Sequence, residues 1–512
     1  MAHQPTQQHK MRLRSSGCLR WSYLPPEIRC LILNTVVDQR YPRWSALASV
    51  SKEWQSIIGA RNMARLKLGS SCLDDFERVL VRQRHLVRHI YLSVELSGYK
   101  CSLCKKGHAV ALTLNDDHSL SLAIRRVFTI LSTWKTAGPL TLELNATSAS
   151  DSEHWFKNFR LDDPHDHDTH HRDPAVLWHD PEHGWENGLR VSPPPFSAMQ
   201  RLFGPITIEC HPGALPCVNA VTCLMIRRQF RHCLVPSHLA LLLSRLRRLT
   251  DIIYEPWLLA YTNPRIWGYF ESATSRRPGV IGMPLPKTLK RLILFRDSNH
   301  YLTQSLDRDS DYKFYVNDPR SRPLDDTLSN SRNLAQTSLR LEELAVSFLI
   351  DAGDFFNACE KEWTWNHLQS LALTSNLLLK DGRLQQKGIN SLLVTTAKHL
   401  LRMPKLTTMV LWSGAAGKAS AFIYTRTRRY AHITWRGTWD LEVSLQVVEA
   451  WKDVAKRHAL DLGVRHEHIQ ETIRSHGDAL LHLDLPCQVI EPVSLWQIRT
   501  EEDIPTNAMT IP

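Results

Sequence analysis

Cys101-Ser102-Leu103-Cys104 carries the most chemically suggestive spacing in this chain of 512 residues. A C-x-x-C pair sets two thiolates on one turn, as tetrahedral zinc requires, and His108 is a candidate third ligand. No second knuckle follows at similar spacing, and Cys210-His211 is the distant partner the chain offers. Packed or free thiols explain the pair more simply, so the expectation is no bound metal and no cofactor. A looser set occurs at His165, His167, His170 and His171, among Asp163, Asp166, Asp168 and Asp173. Borderline metals accept imidazole and carboxylate ligands. Nothing around these residues promises preorganisation, so a solvated loop is expected.

Catalytic patterns fail on single residues. Gly414-Ala415-Ala416-Gly417-Lys418 has part of the spacing of a phosphate-cradling loop. Trp412 stands where its first glycine belongs, and Ala419 stands where a magnesium-binding Ser or Thr belongs. His466-Glu467-His468 lacks the second histidine of a zinc-protease helix, since Gln470 occupies that position. No G-x-S-x-G elbow occurs. The chain is therefore expected to have no catalytic residues and no enzymatic activity of its own. Arg426, Arg428, Arg429 and Arg436 alternate with Tyr424, Tyr430, Trp435 and Trp439. Such a mixture can stack bases or anchor a protein partner, but hairpin packing accounts for the rings with less.

Near the N-terminus the pattern is helical. Pro25 and Pro26 suit a first helical turn. Ile28, Leu31, Ile32, Leu33, Val36 and Val37 then recur at three- and four-residue spacing, which makes a broad apolar stripe. Pro42 interrupts the chain. A short second helix carries Leu47 and Val50, and a third carries Trp54, Ile57 and Ile58. Helices this short are marginal alone, so their apolar faces need each other or a partner.

This stretch resembles the F-box, which docks substrate receptors onto the Skp-type adaptor of cullin-based ubiquitin ligases. The resemblance rests on Leu24-Pro25-x-Glu27-Ile28, on Ile32-Leu33 and on Val50-Ser51-Lys52-Glu53-Trp54. It implies that Leu24, Pro25, Ile28, Ile32, Val50 and Trp54 lie at or beneath an adaptor surface. Asp38-Gln39-Arg40-Tyr41-Pro42-Arg43-Trp44 departs from the family's short acidic-apolar linker. The layout is similar to F-box proteins of filamentous fungi, which implies a Skp-type adaptor, a cullin scaffold and an unknown protein substrate as partners.

Composition fits that class. Hydrophobic residues make up 43% and charged residues 22%, ordinary for a globular protein. No run reaches the ~18 apolar residues of a membrane span, and no signal-peptide core precedes the first module. Eleven irregularly spaced cysteines form no disulfide framework, which fits a reducing compartment, cytoplasmic or nuclear. The net charge of +12 is spread over pairs such as Arg227-Arg228, Arg247-Arg248, Arg276-Arg277 and Arg428-Arg429. These read as solvated faces, so neither a membrane nor a nucleic acid is expected as partner. The alternative is a basic nucleic-acid-associated or structural interaction protein without a ligase role.

Beyond residue 72 an L-x-x-L-x-L pattern recurs. It runs Val87-Ile90-Leu92, Val221-Leu224-Ile226, Leu289-Leu292-Leu294, Leu341-Leu344-Val346, Leu368-Leu371-Leu373 and Leu406-Met409-Leu411. Leu140-Leu142-Leu144 and Leu249-Ile252 are weaker copies. Steps of 28, 40, 52, 27 and 38 residues separate the copies from Val221 onward, against about 20–29 in regular leucine-rich repeats. The expected fold is α/β: an N-terminal helical F-box at 20–66, then an irregular leucine-rich-repeat-like solenoid at 72–414. Loop insertions are expected near 148–200 and 297–337. Residues 415–512 would close the stack with a hairpin (Ala421–Tyr424 with His432–Trp435), a helix through Val447, Trp451 and Val454, and a tail.

Overall fold

The computed structural model describes residues 21–39, 44–104, 110–135, 138–157, 159, 183–186, 189–209, 213, 215–258, 280–299, 302–303, 327–379 and 383–502. The chain divides into two compact units, Met1–Leu66 with His85–Arg88, and Lys67–Arg84 with His89–Pro512.

In the smaller unit, a turn of 3-10 helix at Trp21–Tyr23 leads into helix α1 (Pro26–Gln39), which begins on a proline as the fixed φ favours. The expected second helix is 3-10 in form, Trp44–Ser49. Helix α2 (Lys52–Ala64) starts where the Ser51 hydroxyl accepts the Trp54 amide at 3.4 Å, satisfying one of the amides that an N-terminus leaves open. Leu33, Val37 and Ile58 are the buried apolar side chains of the two α-helices.

The larger unit is mixed α/β around a mostly parallel sheet. Its strands lie side by side in chain order. They are β1 (Arg65–Gly69), which begins two residues before the unit, β2 (His89–Glu95), β3 (Thr141–Thr147), β4 (Cys223–Ile226), β5 (Asp251–Tyr254) and β6 (Arg291–Phe295). Then come β7 (Glu343–Asp351), β8 (Ser370–Thr374), β9 (Thr408–Ala415), β10 (Lys418–Arg426), β11 (Ala431–Gly437) and β12 (Leu462–His468). From β2 to β9 every adjacent pair is parallel. Parallel neighbours need long return connections, and these supply α3 (Val110–Ser132), α4 (Phe196–Phe203), α5 (Pro236–Arg245), α6 (Thr327–Ser338) and α7 (Arg383–Leu400). The order turns antiparallel at β9–β10–β11, and β12 rejoins β11 in parallel after α8 (Leu445–Lys456). Helices α9 (His476–Leu483) and α10 (Pro492–Glu502) end the described chain.

The repeated leucine pattern is the register of this sheet. Ile90, Leu142, Leu224, Ile252, Leu292, Leu344, Leu371 and Met409 are successive cross-strand partners. All are buried, none more than 3% exposed. Side chains alternate along a strand, so the neighbouring row of Met225, Ile253, Ile293, Ala345, Ala372 and Val410 points the other way. That row packs with Ala479, Leu480, Leu483, Ile490 and Ile498 from the C-terminal segment. With both faces covered, near-continuous apolar strands are the expected composition.

Three expectations change. Arg227 and Arg228 are buried, not solvated, because carboxylates distant in sequence, Glu143, Asp297 and Glu501, reach them. Arg247, Arg248, Arg428 and Arg429 are exposed as expected, and Arg276-Arg277 lies outside the described residues. The segment 148–200 is not a surface loop throughout: near its two ends Trp155, Phe156, Phe159, Phe196 and Met199 join Phe203 in a core cluster rich in aromatic rings. Residues 415–502 share the unit and the sheet of the body. The expected Ala421–Tyr424 and His432–Trp435 hairpin is β10–β11, and α9 and α10 then return across the sheet. Most of 297–337 is outside the described residues, and α6 takes up its end.

Candidate functional site

The six residues singled out by the F-box resemblance all fall in the smaller unit. Pro25, Ile28, Ile32 and Val50 are exposed, while Leu24 and Trp54 are half-buried. Leu31 joins them at 62% exposed and Val50 reaches 59%. Helix α1 therefore presents two apolar sets, one inward (Leu33, Val37) and one outward (Ile28, Leu31, Ile32). Its N-terminal end is pinned. Trp21 Nε1 donates to Glu53 Oε2 at 2.8 Å, and Arg29 Nε donates to Glu53 Oε1 at 2.8 Å. These contacts, the indole's first, hold the Glu53 carboxyl below its usual value. Arg29 Nη1 also donates to the Leu24 carbonyl at 3.2 Å, and the Trp21 and Trp54 rings lie 5.9 Å apart.

A second arrangement lies in the larger unit. Cys101 and Cys104 sit at the two ends of a single helical turn. His154 follows a helical turn at Ser150–Glu153, and His183 precedes the small hairpin of Trp185–Glu186 and Leu189–Arg190. The ligand atoms of these four side chains all lie within 4.8 Å of one another. Cys101 Sγ is 2.7 Å from His183 Nε2. His108, Cys210-His211 and the His165–His171 cluster are outside the described residues. The thiol spacing was legible in the sequence; the two histidines were not, because they stand 50 and 79 residues beyond Cys104.

A third arrangement gave no sequence signal beyond an arginine pair. Arg227 pairs with Glu143, and Arg228 pairs with both Asp297 and Glu501. Arg231 pairs with Glu501 at 3.0 Å. Burial alone would raise the Glu143 carboxyl, but His89 at 2.7 Å and the Arg227 guanidinium outweigh it and hold the group low. Asp297 is held low in the same way by Arg228 and His476. Glu255 accepts from the amides of Arg228 and Glu491 and from the Ser494 hydroxyl; burial outweighs these contacts and the Arg227 charge and pushes it up to about 7. This network joins β3, β4, β6 and α10, and its buried position suits structure more than chemistry.

The remaining motifs dissolve into ordinary architecture. Gly414–Lys418 is the β9–β10 hairpin turn, and His466-Glu467-His468 is extended on β12. Tyr424 and Trp435 are buried, whereas Arg428, Arg429 and Tyr430 are exposed. No described helix is long and apolar enough to cross a membrane. No curated protein matches the chain. Residues 284–491, from just before β6 to just before α10, match a family of unknown function (DUF6546).

Proposed function

We propose that this chain is the substrate-recognition subunit of a cullin-type ubiquitin ligase. Helices α1 and α2 dock a Skp-type adaptor in the manner of an F-box, and the stranded body holds a protein target. That body we read as an irregular leucine-rich-repeat-like solenoid. The observation that carries the reading is the outward apolar set of Ile28, Leu31, Ile32 and Val50, side chains that a self-contained helical unit would turn inward. The eight-residue leucine ladder supports the reading of the body. The role is scaffolding: a bound target meets the conjugating machinery at high effective concentration, and the chain contributes no bond-making residue.

Co-expression with a Skp-type adaptor tests the reading. The intact chain should co-purify with the adaptor, and Ile28→Asp with Ile32→Asp should reduce recovery by at least ~10-fold, since a few buried anchors dominate such interfaces. Both residues are exposed, so the melting temperature should stay unchanged. Adaptor retention by the double variant, or none by the intact chain, overturns the reading. Salt-sensitive retention of the intact chain on RNA, without adaptor, would instead favour the nucleic-acid alternative.

A further inference from the structure

We propose that Cys101, Cys104, His154 and His183 form a structural zinc site that ties together three separate segments of the larger unit. The donor set is two thiols and two imidazoles, the Cys2His2 combination that tetrahedral zinc takes, with no carboxylate among the four. In a bound site, sulfur and nitrogen ligands stand about 3.5 Å apart. The mutual spacing within 4.8 Å accommodates this, and the 2.7 Å pair, Cys101 Sγ and His183 Nε2, needs to widen by only about 0.8 Å. Neither cysteine is in a disulfide.

The surroundings orient the ligands. His154 Nε2 lies 3.4 Å from the Tyr99 carbonyl oxygen. A proton held there leaves Nδ1 as the ring's lone pair, the outer contact that metal-bound histidines commonly make. The His154 ring stacks on Tyr99 at 5.2 Å, and His183 stacks on Trp155 at 5.2 Å. The Trp155 carbonyl in turn accepts Trp185 Nε1 at 3.2 Å, which holds the strand that follows His183. Gly184, at φ +76°, makes the turn between them, and a Cβ there would stand 2.9 Å from the Trp155 ring. Cys104 is buried in the aromatic cluster with Phe196, Met199 and Phe203. That apolar wall limits water and suits a neutral centre of two thiolates and a divalent ion.

Four protein ligands leave no open coordination position, so the site is structural and not catalytic. Its ligands span residues 101 to 183, and a clip across so long a stretch restricts the unfolded chain most. The consequence is a cross-link among the segments that carry Cys101, His154 and His183, independent of the adaptor reading.

Metal analysis of the intact chain, purified without chelator, should give about one zinc per chain. After chelation under reducing conditions, cobalt(II) should restore the intense visible absorption of a tetrahedral ion together with thiolate-to-cobalt charge transfer in the near ultraviolet. Cys104→Ser should lower that charge transfer at least ~2-fold, since one of two thiolates is gone. Should that variant fail to fold, His183→Cys keeps four ligands and should raise the charge transfer by about half, because a third thiolate joins. Zinc below about 0.1 per chain with no cobalt absorption overturns the proposal. Cobalt bound without thiolate charge transfer, or a spectrum unmoved by His183→Cys, overturns it equally.

Discussion

Arg228 Nη2 donates to Glu501 Oε2 at 2.6 Å, joining the end of β4 to the last helix across 273 residues. The same carboxylate accepts Arg231 Nη2 at 3.0 Å. All three side chains are at most 2% exposed. Without Glu501, Arg228 keeps Asp297, whereas the buried Arg231 guanidinium keeps its desolvation cost and loses that attraction. Glu501→Ala should therefore destabilise the larger unit by about 3–5 kcal/mol in urea unfolding. A loss under about 1 kcal/mol would mean that Arg231 finds another partner while Arg228 is held by Asp297 alone.

The same contacts bear on where a stable fragment can stop. The family match ends at Glu491, before Ser494, Gln497 and Glu501, which reach Glu255, Gln229 and Arg228. A chain ended at Glu491 should lack cooperative unfolding, since Arg231 loses its Glu501 carboxylate and the sheet face loses Ile498. A sharp melt at the full-length temperature would refute this.

Core positions on the ladder should follow packing rules. Leu292 is fully buried between Ile252 and Leu344. Leu292→Ala should cost about 2–5 kcal/mol, and Ile252→Val about 0.5–1.5 kcal/mol. Tryptophan fluorescence during urea unfolding measures both.

That ladder was legible because a period of two survives insertion: whatever length the return connection has, the strand still alternates. The uneven steps between copies have the same cause, since the return connections differ in length while the register is kept. Arg227-Arg228 was misread because charge pairing depends on Glu143, Asp297 and Glu501, which no local window contains. The zinc ligands split along the same line, with the C-x-x-C turn local and His154 and His183 brought in by the fold. Residues 148–200 read as loop because Ser, Asp, His and Pro dominate them, yet the described Trp155, Phe156, Phe159, Phe196 and Met199 pack into a core cluster. On α1 the sequence shows one broad apolar stripe, and burial divides it into Leu33 and Val37 inward and Ile28, Leu31 and Ile32 outward.

Asp117 gives a pH signature. It is buried, accepts the Thr207 amide at 2.7 Å, and burial pushes its pKa up to about 6, above the unfolded value of about 3.9. A raised folded pKa means stability present at low pH and lost as pH climbs toward 6. Asp117→Asn keeps an oxygen for the Thr207 amide and cannot ionise. The melting temperature of the variant minus that of the parent should rise from pH 4 to pH 7 and then level. A flat or falling difference would contradict the assigned direction.

Two glycines of the β9–β10 hairpin, Gly414 on β9 and Gly417 in the turn, should respond differently to one added methyl. Gly417 sits at φ +77° with nothing within 4 Å of a new Cβ, so Gly417→Ala meets only backbone strain, about 1–2 kcal/mol. Gly414 would place its Cβ 2.4 Å from the Ala479 Cβ on α9. Strand or helix must move, at a cost of about 1–3 kcal/mol. Ala479→Gly alone costs roughly 0.5–1 kcal/mol as a helix-interior glycine, yet it vacates the contested space. The Gly414→Ala, Ala479→Gly pair should therefore lose less than the sum of its parts, with a coupling of at least about 0.5 kcal/mol. Gly417→Ala combined with Ala479→Gly should be additive, which makes it the control: strain at a left-handed residue is local, whereas a steric conflict belongs to both partners.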